Sequence, residues 1–466
     1  MGRRDGAWPA AVTALWPLGL ALAVNTLYRW MTIPAPGDRP PYSLILSPSA
    51  SDRIAELLAS NPLALLGPIE LDTDRWAWTT TTLLPLYALE QALPPAAVYL
   101  VVTGICTGTL YVCGLVATRS VRFATILGLV AGLSTFLGYS FVYGNVMLGF
   151  LVIAWLAIAV TALLAYLRAE RGEAVRLSVF LLALLPLVLS AEYWLNFAVP
   201  AILACGFATV WGRRHGDAGF ARRSLIAGAV LAGAMAIYLP VRFMAAAPLV
   251  QPGFESESVV TYPHLLMMAE DMAVNYLTYL YMALSSVLPG FLVFSPSYAA
   301  YGPEVLAAEQ NGYHDAYNHL IPISAMTSWR FVGGALVLGF FLLGWRWIRA
   351  AWTRADRRDL VPVALFLVIA LGFVIYLPIK MRPFHLTAML GYKALIASAA
   401  MMVLVAWAAF TAERWTPARW RRPALAGLAA LIVLSAFTRP AAEIAGLEAV
   451  GLDGAGDPLV GMGDQP

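Results

Sequence analysis

The fold class that the sequence predicts is all-α: a polytopic transmembrane helical bundle of about 11 spans, with one re-entrant or interfacial segment and amphipathic helices in the first outer loop. Three observations predict it. Hydrophobic residues fill 60% of the 466 positions and charged residues only 12%, where a soluble chain of this length carries roughly 25% charge. Apolar windows of about 20 residues, the length that crosses a bilayer core, recur along the chain. The basic residues gather in alternate loops between those windows. The windows fall at about 9–30, 95–117, 122–142, 146–167, 176–192, 194–212, 223–243, 331–351, 360–379, 386–411 and 422–438. With the N-terminus cytoplasmic, the inside segments hold 20 of the 30 basic residues and 7 of the 27 acids. Cations retained on the cytoplasmic side fix orientation, and every inside loop agrees.

Residues 1–440 therefore read as a single transmembrane domain. Its charged start, MGRRDGAW, resembles that of a signal peptide, but the apolar run ends in Asn25-Thr-Leu-Tyr-Arg-Trp without a small-residue cleavage site, which predicts an uncleaved anchor. The first outer loop, 31–94, opens with the amphipathic stretch SDRIAELLASNPLALLG, where Ser51 or Asp52 suits a helix N-cap. Then comes IELDTDRWAWTTTTLLPLYALEQALPP, which sets Glu70, Asp72 and Asp74 within five residues, followed by Arg75, Trp76 and Trp78. Asp72 and Asp74 precede the next helical stretch. Two acids at i and i+2 do not both cap one helix, so a functional role for one of them stands beside the capping role. The tryptophans suit an interfacial anchor.

The second outer region spans 244–330. Its segment 264–296 is long enough to cross once, but one more span would invert every later loop and place Arg346–Arg358 outside. A re-entrant or interfacial path bent at Pro289-Gly290 is the consistent reading. Residues 441–466 are rich in Gly and Asp, lack periodicity and form an outer tail expected to be disordered. Cys106, Cys113 and Cys205 sit inside apolar runs, so no structural disulfide is expected. The sequence contains no G-x-x-x-x-G-K-[ST] loop, which argues against an ATP-driven pump. Nothing in it points to a nucleic-acid partner.

Ile237-Tyr-Leu-Pro-Val-Arg-Phe-Met recurs as Ile375-Tyr-Leu-Pro-Ile-Lys-Met-Arg, each at the outward end of a window. Both copies place cations (Arg242; Lys380 with Arg382) at the outer surface, against the orientation bias. One account is an interfacial anchor, for which Tyr238 and Tyr376 are suited. The other is a site for lipid phosphate, held by charge-assisted hydrogen bonds, and then Arg242, Lys380 and Arg382 converge in space. His314 and His319 flank Asp315, but a spacing of five does not align them on one helical face, which argues against a metal site. A loop capping the cavity is the alternative, and His314, Asp315 and His385 are cavity candidates with a proton-transfer role open to the histidines. Glu192 lies in a tight hairpin between windows, and Lys393 about two turns into the tenth; such charges pair with one another or face a cavity.

A first span, a long acidic outer loop with two amphipathic segments and then many spans with short loops resembles the GT-C superfamily of membrane glycosyltransferases. The Tyr-Leu-Pro-[apolar]-[Arg/Lys] copies at Tyr238–Arg242 and Tyr376–Lys380 are similar to a Tyr-Leu-Pro-Ile-Arg motif of protein O-mannosyltransferase-like membrane proteins. The chain departs from the pattern in one place: such enzymes carry an acid almost directly after the first span, and here the nearest is Asp38. The resemblance implies transfer of a sugar from a polyprenyl-phosphate-linked donor to a glycan, lipid or protein acceptor at the non-cytoplasmic face of a bacterial inner membrane. Asp74, or else Asp72, then serves as general base, and Arg242, Lys380 and Arg382 hold the departing phosphate. No cofactor is firmly implied, and a divalent cation is the one candidate. A secondary transporter, an O-antigen polymerase or ligase type of enzyme and a non-catalytic assembly subunit are the competing readings.

Overall fold

The computed structural model describes residues 7–32, 48–66, 69–72, 75–77, 83–133, 145–189 and 195–245, with scattered positions in 342–354 and 419–430. Among these the fold is helical, with one two-stranded ribbon. Nine α-helices are described over the first half: α1 (Ala7–Thr32), α2 (Pro48–Ser60), α3 (Leu83–Ala92), α4 (Pro95–Thr118), α5 (Val121–Leu133), α6 (Asn145–Leu167), α7 (Glu173–Val188), α8 (Leu195–Arg214) and α9 (Ala218–Ala245), with a 3-10 turn at Pro62–Leu66. The ribbon pairs β1 (Ile69–Asp72) with β2 (Arg75–Ala77), antiparallel. Ala96–Thr118 and Ala218–Tyr238 are long and apolar enough to cross a membrane, and Leu15–Leu27 and Ile153–Leu167 are shorter apolar stretches.

Local chemistry sets the helix limits. Pro95 occupies the first turn of α4, where its missing N–H costs nothing. At the other end Arg119 turns left-handed (φ 55°) and donates its N–H to Leu115 O at 2.7 Å. Ser120 Oγ then accepts from the Phe123 N–H at 3.2 Å and caps α5. Gly172 (φ 66°) precedes α7, and Gly216 (φ 70°) separates α8 from α9, positions where a side chain would be strained. Asp217 Oδ1 caps α9 by accepting from Phe220 N–H at 2.9 Å.

Consecutive helices fold back on one another as α4/α5, α6/α7 and α8/α9, with α4 against α6 and α1 against α4 and α5. The main core lies among α6–α9, where Tyr166, Phe180, Trp211, Ala227 and Leu231 are buried. Small residues set the closest approaches. Gly128 and Gly132 of α5 face Ala21 and Asn25 of α1, Gly212 of α8 meets Ala221 of α9, and Gly228 of α9 meets Cys205 of α8. Such small-residue seams let helix backbones approach where lipid removes the hydrophobic drive between helices.

The predicted windows 95–117 and 146–167 coincide with α4 and α6 to within one residue at each end. Two expectations are corrected. Ser51 and Asp52 stand inside α2, which starts at Pro48, so neither caps it. Asp72 closes the extended strand β1, so it does not cap a helix. The windows after 331, apart from scattered positions, segment 264–296 and the tail 441–466 lie outside the described residues.

Candidate functional site

The helix ends divide the bundle into two faces of different chemistry. At one, arginines bind the ends of neighbouring helices. Arg168, just past α6, donates to Ala117 O near the end of α4. Arg223 in the first turns of α9 donates Nε–H to Leu167 O at 3.0 Å, and Arg176 of α7 donates to Ala165 O at 3.1 Å. Arg222 pairs with Glu173 at 2.6 Å. Trp211 near the end of α8 donates its indole N–H to Arg354 O at 3.2 Å. The C-terminal ends of α4, α6 and α8 and the N-terminal ends of α5, α7 and α9 therefore share one face, with the segment around 352–354 beside them. It is also the face predicted to be cytoplasmic.

The opposite face carries the end of α1, the start of α4 and the end of α9. The chain between α1 and α4 builds on it. In α2 the apolar spacing turns Ile54 and Leu57 inward while Arg53 and Glu56 pair at 2.6 Å on the outside, and β1 packs against α2. The register sets Glu70 opposite Trp76 and Asp72 opposite Arg75, with an irregularity between Glu70 and Asp72. Asp72 thus closes β1 on extended backbone, beside an arginine position on the paired strand. Arg242 stands in the last turns of α9, on this same face.

Of the predicted site residues, Asp72 and Arg242 are placed and share a face. Asp74, Lys380, Arg382, Glu192, His314, Asp315 and His385 lie outside the described residues, as does Lys393. One supporting idea is corrected: Tyr238 is only 4% exposed and belongs to the core among α6–α9, so it is no lipid-facing anchor. Among the described residues no group of three His, Cys, Asp or Glu is arranged to hold a metal ion.

The sequence reading missed one polar feature. Asn25 of α1 is fully buried and donates Nδ2–H to Thr103 Oγ1 of α4 at 3.3 Å. The Thr103 hydroxyl itself donates to Tyr99 O at 2.9 Å, which leaves its oxygen to accept from the amide. Asn25 Oδ1 is then buried without a hydrogen-bond partner among the described residues. An asparagine inside an apolar window was the available signal, since such groups are costly and rare in spans. Comparison with family models, with curated proteins and with solved structures finds no match to this chain.

Proposed function

We propose that the chain is an integral membrane glycosyltransferase that moves a sugar from a polyprenyl-phosphate-linked donor to an acceptor at the non-cytoplasmic face. In this reading eleven spans cross a bacterial inner membrane, the N-terminus is cytoplasmic and the acid-rich face is periplasmic. The single observation that carries it is the segregation of charge: the acidic ribbon and Arg242 occupy one face of the helical bundle, and the helix-binding arginines occupy the other. Exposed apolar side chains on the flanks between them, such as Leu182, Leu185, Val112 and Leu203, suit contact with acyl chains.

In the proposed reaction the acceptor hydroxyl gives its proton to Asp74 or Asp72 while its oxygen attacks the anomeric carbon. The bond from that carbon to the lipid phosphate breaks, and Arg242, with Lys380 and Arg382, takes the phosphate's charge. A single displacement inverts the anomeric centre. Asp74→Asn is expected to abolish transfer from a polyprenyl-phosphate sugar, with expression and thermal unfolding within about 0.5 kcal/mol of the parent. Asp72→Asn is the second variant. Full activity in both would remove the catalytic assignment and turn attention to Glu192 and Asp315.

A further inference from the structure

The arginines of the cytoplasmic-side face differ in what they already hold. Arg168, Arg176 and Arg223 are engaged by backbone carbonyls, and Arg222 by Glu173. Arg213 and Arg214, the last two residues of α8, are both exposed. The Arg213 side chain makes no hydrogen bond or ion pair among the described residues, its backbone carbonyl alone accepting from Gly216 N–H at 3.3 Å. The Arg214 guanidinium lies 5.0 Å from the centroid of the Trp352 ring. Stacking of that kind holds the face of the fork and leaves its edge N–H groups free for an in-plane acceptor such as a phosphate. Trp352 is itself fixed, 5.8 Å from Phe207, while Trp211 holds the adjoining Arg354 carbonyl.

The chemistry along α8 continues the argument. Leu203, Phe207, Val210 and Arg214 follow at spacings of four, three and four, which puts them on one face of the helix. Leu203 and Val210 are exposed and Phe207 half-buried, and among the described residues nothing lies within 4 Å of where a Cβ on Gly206 would stand. The stripe is apolar along the helix and cationic at its end. A free phosphate or a nucleic acid would use the cation and leave the apolar stripe uncovered; an amphiphile covers both.

We propose that this face of α8 binds one anionic phospholipid, with its phosphate on Arg213 and Arg214 and its acyl chain along Leu203, Phe207 and Val210. The site rests on the membrane reading above and not on the transferase reading. The test uses the full chain purified in detergent and exchanged with phosphatidylglycerol or phosphatidylcholine, with retained lipid read by native mass spectrometry. Phosphatidylglycerol is expected to be retained over phosphatidylcholine, and the double variant Arg213→Gln/Arg214→Gln to retain about tenfold less of it. Arg171→Gln, on the α6–α7 connection, is expected to leave retention unchanged. Should the glutamine variant fail to fold, Arg213→Lys/Arg214→Lys keeps the charge but removes the fork, and retention is expected to fall here too. Equal retention in the parent and either double variant overturns the site. So does indifference between the two lipids, or displacement of the lipid by equimolar inorganic phosphate or a short RNA. Sugar transfer is not read, so its loss or presence leaves this outcome untouched.

Discussion

Arg222 and Arg223 are neighbours with the same charged group, and their surroundings give them different energetic roles. The Arg222 side chain is 64% exposed in its pair with Glu173, and exposed ion pairs contribute about 0–1 kcal/mol. Arg223 is only 7% exposed and holds the Leu167 carbonyl at the end of α6. Removing that donor leaves a buried acceptor open, at about 1–3 kcal/mol. Arg223→Met is therefore expected to lower the thermal unfolding midpoint clearly in detergent, and Arg222→Gln to lower it little; equal effects would contradict the distinction. Asn25→Leu is expected to stay within about 1 kcal/mol of the parent, because it removes the orphaned Oδ1 while Thr103 keeps its bond to Tyr99 O. At this scale the sequence was a partial guide. It showed which loops held arginines, because charge excluded from long apolar helices must collect at their ends. It did not show which arginine was buried, because that depends on which carbonyl a neighbouring helix brings within reach.

The long apolar helices were the most legible elements, and α4 and α6 end where hydropathy says they do, since the backbone must satisfy its own hydrogen bonds over any apolar stretch. The ribbon was not anticipated. Its signal was present: Ile69 and Leu71 alternate with Glu70 and Asp72, the period of a strand. Four residues are too few for that alternation to outweigh the helical stretches on either side. Proximity between elements was equally hidden, because a glycine's neighbour across an interface is not written beside it. On α5 Gly128 and Gly132, four apart, form a seam against α1, and a Cβ at Gly132 would stand 3.1 Å from Asn25 Cβ. Gly132→Val should separate α1 from α5 and cost about 1–3 kcal/mol. Gly104→Ala on α4, with nothing within 4 Å among the described residues, should be neutral or gain up to about 1 kcal/mol from helix propensity. Chemical or thermal unfolding of the two variants side by side checks the contrast.

For the molecule as a whole, the proposed orientation makes a direct prediction. With the N-terminus inside and the tail outside, single cysteines placed at Gly312 and Gly456 are expected to react with an impermeant thiol reagent from outside, and one at Ala355 is not. Labelling at 355 would overturn the orientation. The native Cys106 and Cys205 are buried within helices and should add little background. The turns at the arginine face carry a further consequence, for the order of assembly. Arg119, Gly172 and Gly216 close three helical hairpins within a few residues each, so each pair can form as soon as its second helix leaves the ribosome, without waiting for distant sequence. Contacts of longer range break this local schedule, as two of them show. Asn25 must wait 78 residues for Thr103, and Trp211 must wait 143 for the carbonyl of Arg354. During synthesis α1 is then the early helix left longest without its partners, and the base of α8 is completed only after the second outer region has been made.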